Sequence, residues 1–152
     1  NGFVKEYQDR FVYKAIEKSE FDECLRLSDK WAFSREKDRN LIGENLAIKK
    51  VLKNADKFSC LKIGGIYIDN DLEAFTFGDL INSQMAVIHI EKANPDIRGI
   101  YSAVNKLFLE NEFPDVEFVN REDDLGIEGL RKAKLSYKPL RLVEKYTLTE
   151  RQ

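Results

Sequence analysis

Histidine, cysteine, methionine and proline are all scarce in this 152-residue chain, which holds one His, two Cys, one Met and three Pro. One His and two distant Cys cannot assemble a zinc site with the usual four ligands, so no metal is expected. Cys24 falls in a helical pattern and Cys60 at the edge of a strand pattern, with no CxxC spacing. A disulfide framework is therefore excluded, and both are expected as buried free thiols of a reduced, cytosolic protein. No apolar run approaches the roughly 20 residues that span a bilayer. An excess of one charge is missing too. The 25 Lys+Arg against 27 Asp+Glu leave a net charge of −2, which excludes a generally basic nucleic-acid coat but not a local basic face. A signal-peptide pattern is absent, and the chain opens Asn1-Gly2-Phe3 without Met, as a fragment would.

What is present is material for a core. Apolar residues make up 43% and aromatics 11%, too much for disorder and enough for one ordinary domain. Phe11 to Ile16 is a β-prone run. Ser19 is the expected N-cap of a helix from Glu20, whose apolar side carries Phe21, Cys24, Leu25 and Trp31, with Ser28 in the stripe and Leu27 beside it. A polar loop, Ser34 to Asn40, leads to a second helix from Leu41 to Ala55, with Leu41, Ile42, Leu46, Ile48, Val51 and Leu52 as its apolar positions. Lys49, Lys50 and Lys53 read as a solvated face.

From Phe58 the pattern turns to strands. Leu61 to Ile68 and Leu72 to Leu80 flank Asp69-Asn70-Asp71, a hairpin turn. Gly64-Gly65 inside the first run marks a bulge or a close backbone approach. Met85 to Lys92 is a third strand, and Pro95 and Gly99 precede a helix to Asn111 with Ile100, Val104, Leu107 and Phe108 on its core side. Val116 to Asn120 is a strand. Asp123 or Asp124 is placed to cap a helix from Ile127 to Leu135, and Leu140 to Leu148 reads as a terminal strand. The order β-α-α-β-β-β-α-β-α-β implies an α+β domain, a mixed sheet with helices on both faces, and a parallel crossover from Met85 to Asn120.

That order resembles the GNAT (N-acetyltransferase) superfamily. More specific blocks are His89-Ile90-Glu91-Lys92-Ala93-Asn94, Ile97-Arg98-Gly99-Ile100-Tyr101, Asn120 to Gly126, Gly129 to Lys134 and Ser136-Tyr137-Lys138-Pro139. They resemble the bacterial family named after the C-terminal domain of phosphatidylglycerol lysyltransferase. The resemblance implies a GNAT-like fold of six or seven strands, with the fourth and fifth splayed into a donor cleft. It also implies a tandem protein in which this chain is the second half, partnered by its own N-terminal GNAT-like half. Residues 1–10 would be the tail of the joining segment, 11–148 the domain and 149–152 a C-terminal tail.

Strand alternation puts Val87, His89 and Glu91 on one face and Ile88 and Ile90 on the other. In a GNAT-like fold the first set borders the cleft. Glu91 is then the candidate general base, aided by His89, provided its surroundings raise its pKa. The structural alternative pairs Glu91 with Arg98 or Lys92 and packs His89 with one hydrogen bond. Asn94, Arg98 and Gly99 are candidate donor-binding residues at the helix start, and Asn120 matches the asparagine that often ends the fifth strand of the superfamily.

The coenzyme A loop of the superfamily is (Arg/Gln)-x-x-Gly-x-(Gly/Ala). Here Asp96 stands at its first position and Tyr101 at its last. A carboxylate repels a pyrophosphate and a ring obstructs it, so acetyl-coenzyme A is disfavoured and no cofactor is assigned. Folds of this kind that take an aminoacyl group from transfer RNA also lack an intact loop, so the resemblance favours aminoacyl-tRNA as donor, or no donor at all. Arg121, Arg131 and Lys134 are candidate phosphate contacts for RNA or an anionic headgroup, or simply bases that complement a helix dipole. Tyr137 is a candidate general acid, because Ala133 occupies the usual tyrosine place. The expected function is an acyl- or aminoacyltransferase acting on an amine or hydroxyl. The alternative is a non-catalytic half-domain that binds RNA, an anionic ligand or its partner half.

Overall fold

The computed structural model describes residues 2–33 and 39–150, with side chains omitted at 31–33 and 39–42. The Trp31, Leu41 and Ile42 side chains and most of the Ser34–Asn40 loop therefore lie outside the described residues. The chain divides into two compact units, Asn1–Asn120 and Arg121–Gln152.

The first unit runs α1 (Gly2–Tyr7), β1 (Phe11–Ala15), α2 (Phe21–Phe33), α3 (Arg39–Lys53), β2 (Lys62–Ile68), β3 (Asp71–Asn82), β4 (Met85–Ala93), α4 (Ile100–Glu112) and β5 (Phe118–Asn120). The five strands form one sheet in the order β1-β2-β3-β4-β5. Neighbours are antiparallel except β4 and β5, which are parallel, as the crossover through α4 requires. Asp69 and Asn70 both take positive φ between β2 and β3, the geometry of a two-residue hairpin turn.

Both sheet faces are covered. On one, Ile66 and Ile68 of β2, Ala74 of β3 and Ala93 of β4 pack against Ile100, Ala103 and Val104 of α4 and Phe3 of α1. On the other, Ile63, Phe75 and Phe77 pack against Cys24 and Leu27 of α2 and Ile48 and Leu52 of α3. Ser28, buried in the α2 stripe, donates to Asn45 of α3 at 2.8 Å, and Asn45 in turn donates to Asp29 at 2.7 Å. The polar residue in the stripe is thus satisfied by the facing helix. Gly64 is a site of close approach: a Cβ there would lie 2.7 Å from Cζ of Tyr13 and closer still to its hydroxyl.

Several expectations are corrected. Ser19 sits inside a 3₁₀ turn, Lys18–Glu20, and the Glu20 carboxylate accepts the Glu17 N–H at 2.9 Å, so the helix entrance is organised from Glu17. Leu46 faces water. Lys49 pairs with Asp29 at 2.8 Å. Residues 140–148 form no strand, and Leu140, Leu142, Tyr146 and Leu148 are exposed. Alternation supplies strand propensity, but a strand persists only beside a partner, and none forms for this segment among the described residues.

Cys60 is exposed rather than buried, whereas Cys24 is fully buried and its thiol is pushed up to about 12, first by burial and then by Glu23 and Glu20. A buried, protonated thiol is a poor nucleophile. Iodoacetamide at pH 8 should therefore add one label to the native protein and two to the unfolded one, read by mass spectrometry. Labelling of Cys24 under native conditions would contradict this packing.

Candidate active site

The ladder between β4 and β5 is short: Met85 pairs with Phe118, Ala86 with Val119 and Val87 with Asn120. There β5 ends, while β4 runs on to Ala93. The stretch Ile88–Ala93 therefore has β3 on one edge and, among the described residues, no strand on the other. The gap opens at Val87, earlier along β4 than a splay beyond Lys92 would place it.

The β3–β4 ladder contains a bulge. Phe77 pairs with Ile90 and Gly78 with Ile88, so His89 is the extra residue. This slip overturns the simple alternation. Ala86 and Ile88 pack with Phe108 and Phe113 on the α4 face, whereas Ile90 packs with the α2–α3 cluster. Beyond the bulge the order is reversed: Lys92 pairs with Glu44 of α3, and Ala93 belongs to the α4-side cluster. Glu91, between Ile90 and Lys92, faces the α4 side, opposite in sense to Val87. Alternation alone puts Val87 and Glu91 together, because a bulge depends on the neighbouring strand and leaves no local period.

Glu91 is half-buried and stands in register with Thr76, whose buried hydroxyl donates to the Ile90 carbonyl at 2.7 Å. His89 Nε2 lies 3.5 Å from the Asp79 carboxylate, both side chains being about one-third exposed. Lys92, the expected alternative partner of Glu91, is engaged with Glu44.

At the end of β4 the Asn94 side chain is spent on the turn. Its Nδ2 donates to Glu73 at 2.9 Å, and its Oδ1 accepts the Asp96 N–H at 3.0 Å. Arg98 is exposed, and Gly99 takes φ 81° as the cap residue of α4. Tyr101 reaches back from the first turn of α4, donating its hydroxyl to the Ala93 carbonyl at 3.2 Å.

One residue of this region is absent from the sequence-based candidates. Asn105 of α4 is 4% exposed, and its Nδ2 finds no acceptor among the described residues. Burying such a donor costs about 1–3 kcal/mol, and Asn is also a weak helix former. The available signal is a polar side chain between Val104 and Phe108, inside the apolar stripe.

The second unit carries Arg121, Arg131, Lys134 and Tyr137. Its helix α5 spans Glu128–Leu135. Asp123 and Asp124 accept the N–H groups of Leu125 and Gly126, so they close the preceding turns instead of capping α5, whose N-cap is Ile127. Arg131 binds Asp124 through two nitrogens, at 2.5 and 3.1 Å, and holds that carboxyl at about 2. Lys134 donates to the carbonyls of Arg121 and, at 2.6 Å, Asp123. The Arg121 guanidinium lies 4.1 Å from the Tyr137 ring centroid, a cation–π contact. Each of these groups thus has a structural role within its own segment.

A groove of about 480 Å³ lies elsewhere, between α2 and the β2–β3 turn, lined by Glu23, Arg26, Leu27 and Glu73 among others. It holds none of the candidate residues. Among the described residues, no group of three or more His, Cys, Asp or Glu side chains is placed to hold a metal, and no helix is long and apolar enough to cross a membrane.

Comparison with known proteins places the fold among its relatives. A conserved protein of unknown function from Bacteroides thetaiotaomicron has a crystal structure that superposes with a TM-score of 0.87 at 35% identity, covering 93% of this chain and 48% of that one. A ribosomal-protein-alanine N-acetyltransferase of Brucella melitensis superposes with a TM-score of 0.60 at 12% identity, over 93% of this chain and 98% of that one, which establishes a GNAT-like fold. An uncharacterised protein of Mycoplasmoides gallisepticum is 23% identical over 146 residues, 96% of this chain and 47% of that one. The chain thus spans about half the length of the Bacteroides and Mycoplasmoides relatives. Residues 1–149 match the family described as phosphatidylglycerol lysyltransferase, C-terminal, and the chain belongs to that family.

Proposed function

We propose that this acyltransferase-like domain moves an aminoacyl group from aminoacyl-tRNA to an amine or hydroxyl acceptor, with Glu91 as general base. The observation that carries the reading is the short β4–β5 ladder, which leaves the Glu91 stretch of β4 open on one edge. The acceptor nitrogen or oxygen attacks the ester carbonyl and Glu91 takes its proton; the ester C–O bond then breaks, and the ribose oxygen of the tRNA leaves as a hydroxyl with the proton that Glu91 returns. The protein contributes orientation and proton transfer; no covalent enzyme intermediate is needed.

The family description names a lysyltransferase, which favours an aminoacyl donor. Asp96 and Tyr101 disfavour coenzyme A, and the Tyr101 ring is tied to the end of β4 at the place where the loop would need a small residue. In the longer protein, we propose, an N-terminal GNAT-like half partners this one. The rival reading is a non-catalytic half that binds RNA, an anionic ligand or that partner. It is favoured by the degenerate loop, with Asp96 and Tyr101 at its two ends, and by Ala133 standing where the superfamily has a tyrosine.

Melting curves of this chain with acetyl-coenzyme A, aminoacyl-tRNA, deacylated tRNA and phosphatidylglycerol vesicles separate the two. A ligand at about 100 times its dissociation constant adds about 2.7 kcal/mol, a rise on the order of 5–10 °C for a chain of this size. The transferase reading expects the rise with aminoacyl-tRNA above that with deacylated tRNA. Equal rises with the two would favour the binding half, and a rise with acetyl-coenzyme A alone would overturn the donor.

A further inference from the structure

The buried amide of Asn105 has a definable position. On α4, Tyr101, Asn105 and Phe108 lie along one flank, since residues three and four apart share a helix face. Tyr101 bonds to the Ala93 carbonyl, and Phe108 packs on Ala86 and Ile88. The flank therefore runs antiparallel along β4 from residue 93 back to 86, and Asn105 falls over the middle of Ile88–Ala93. That is the stretch which β5 leaves unpaired, and Glu91 and Thr76 face the same side of the sheet. A leucine would fill this place in the apolar stripe without leaving a donor stranded; the asparagine keeps one there, at 4% exposure.

We infer that Asn105 is a donor-binding residue whose Nδ2–H is satisfied by the acyl carbonyl oxygen of the bound group. This inference rests on the transferase reading above. The partner chemistry is a hydrogen-bond acceptor carried by an ester carbonyl, which gains negative charge as the acceptor attacks. A preorganised donor aimed at such an oxygen contributes about 10²–10³ in kcat in acyl-transfer enzymes. Asn105 thereby reads whether the tRNA is charged, because only the acylated form brings the carbonyl.

The test uses this chain with lysyl-tRNA and deacylated tRNA, comparing wild type, Asn105→Leu and Asn105→Asp. Wild type is expected to bind lysyl-tRNA at least about tenfold more tightly than deacylated tRNA, the ratio that one hydrogen bond of about 1.4 kcal/mol supplies. Both variants should lose that preference while their affinity for deacylated tRNA is unchanged. Without ligand, Asn105→Leu should melt at or above the wild-type temperature. A fall in its melting temperature would show that the amide has an internal partner and overturn the inference. If wild type prefers lysyl-tRNA and both variants retain the preference, the role of Asn105 falls while the transferase reading stands. If wild type itself shows no preference, the donor reading fails and Asn105 falls with it.

Discussion

Glu91→Gln is expected to lower aminoacyl transfer by about 10²–10⁴-fold, the span that positioned general bases contribute. Gln keeps the shape and the hydrogen-bonding reach of the side chain but cannot accept the acceptor's proton. The substitution is therefore aimed at chemistry rather than packing: Glu91 is half-buried and lies outside the three apolar clusters. Turnover would be followed as transfer of a radiolabelled aminoacyl group from tRNA in the full-length protein, with the melting temperature measured alongside. A drop in kcat with an intact binding preference for charged tRNA is the expected pattern. Unchanged turnover in a folded variant removes Glu91 from the base role. The Lys92–Glu44 pair offers a control, since Lys92→Met disturbs the neighbouring residue on the other sheet face.

The largest effect on stability is expected at Gly78, opposite the β4 bulge. A Cβ there would intrude on the Val87 carbonyl oxygen and sit 3.2 Å from its carbon. Both atoms are backbone in an interior strand pair, so neither can swing aside as the end of a long side chain could. Overpacking of this kind typically costs about 1–3 kcal/mol, and the backbone obstruction puts Gly78→Ala at the upper end or beyond. For a chain of this length that is a fall in melting temperature on the order of 10 °C. Because Gly78 pairs with Ile88, relief would come by loosening β3 from β4 at His89. Gly43→Ala is the contrast: nothing stands within 4 Å of a Cβ there, and a helical Gly-to-Ala change gains up to about 1 kcal/mol. A Gly78→Ala melting curve that coincides with wild type would refute the close approach of these two strands.

Where the chain's own neighbours decide structure, the sequence is a good guide at the turns and a poorer one at the caps, since Ser19 and Asp123 or Asp124 do not cap the helices they precede. Asp69-Asn70 announces the hairpin, and Pro95 with Gly99 announces the start of α4, because turn and cap preferences act within a few residues. Where distant partners decide, it is not. The bulge at His89 exists only relative to Gly78 on β3, so Glu91 can be nominated from its strand while the face it occupies cannot. Residues 140–148 show the same limit: their alternation is plain, but a ladder partner cannot be read from it. Arg131 and Lys134 are legible as bases near a helix and not as partners of Asp124 and of the Asp123 carbonyl, since those bonds depend on how the intervening turn folds.

The meeting of Gly64 with Tyr13 ties two distant places in the chain to a single space. The phenol on β1 occupies the room that any side chain at 64 would need, while its hydroxyl also reaches Glu112 at the end of α4. A descendant that acquires a methyl group at 64 keeps this arrangement only by trimming the ring at 13, and one that trims the ring inherits a hollow until 64 grows. The two sites should drift as a linked pair.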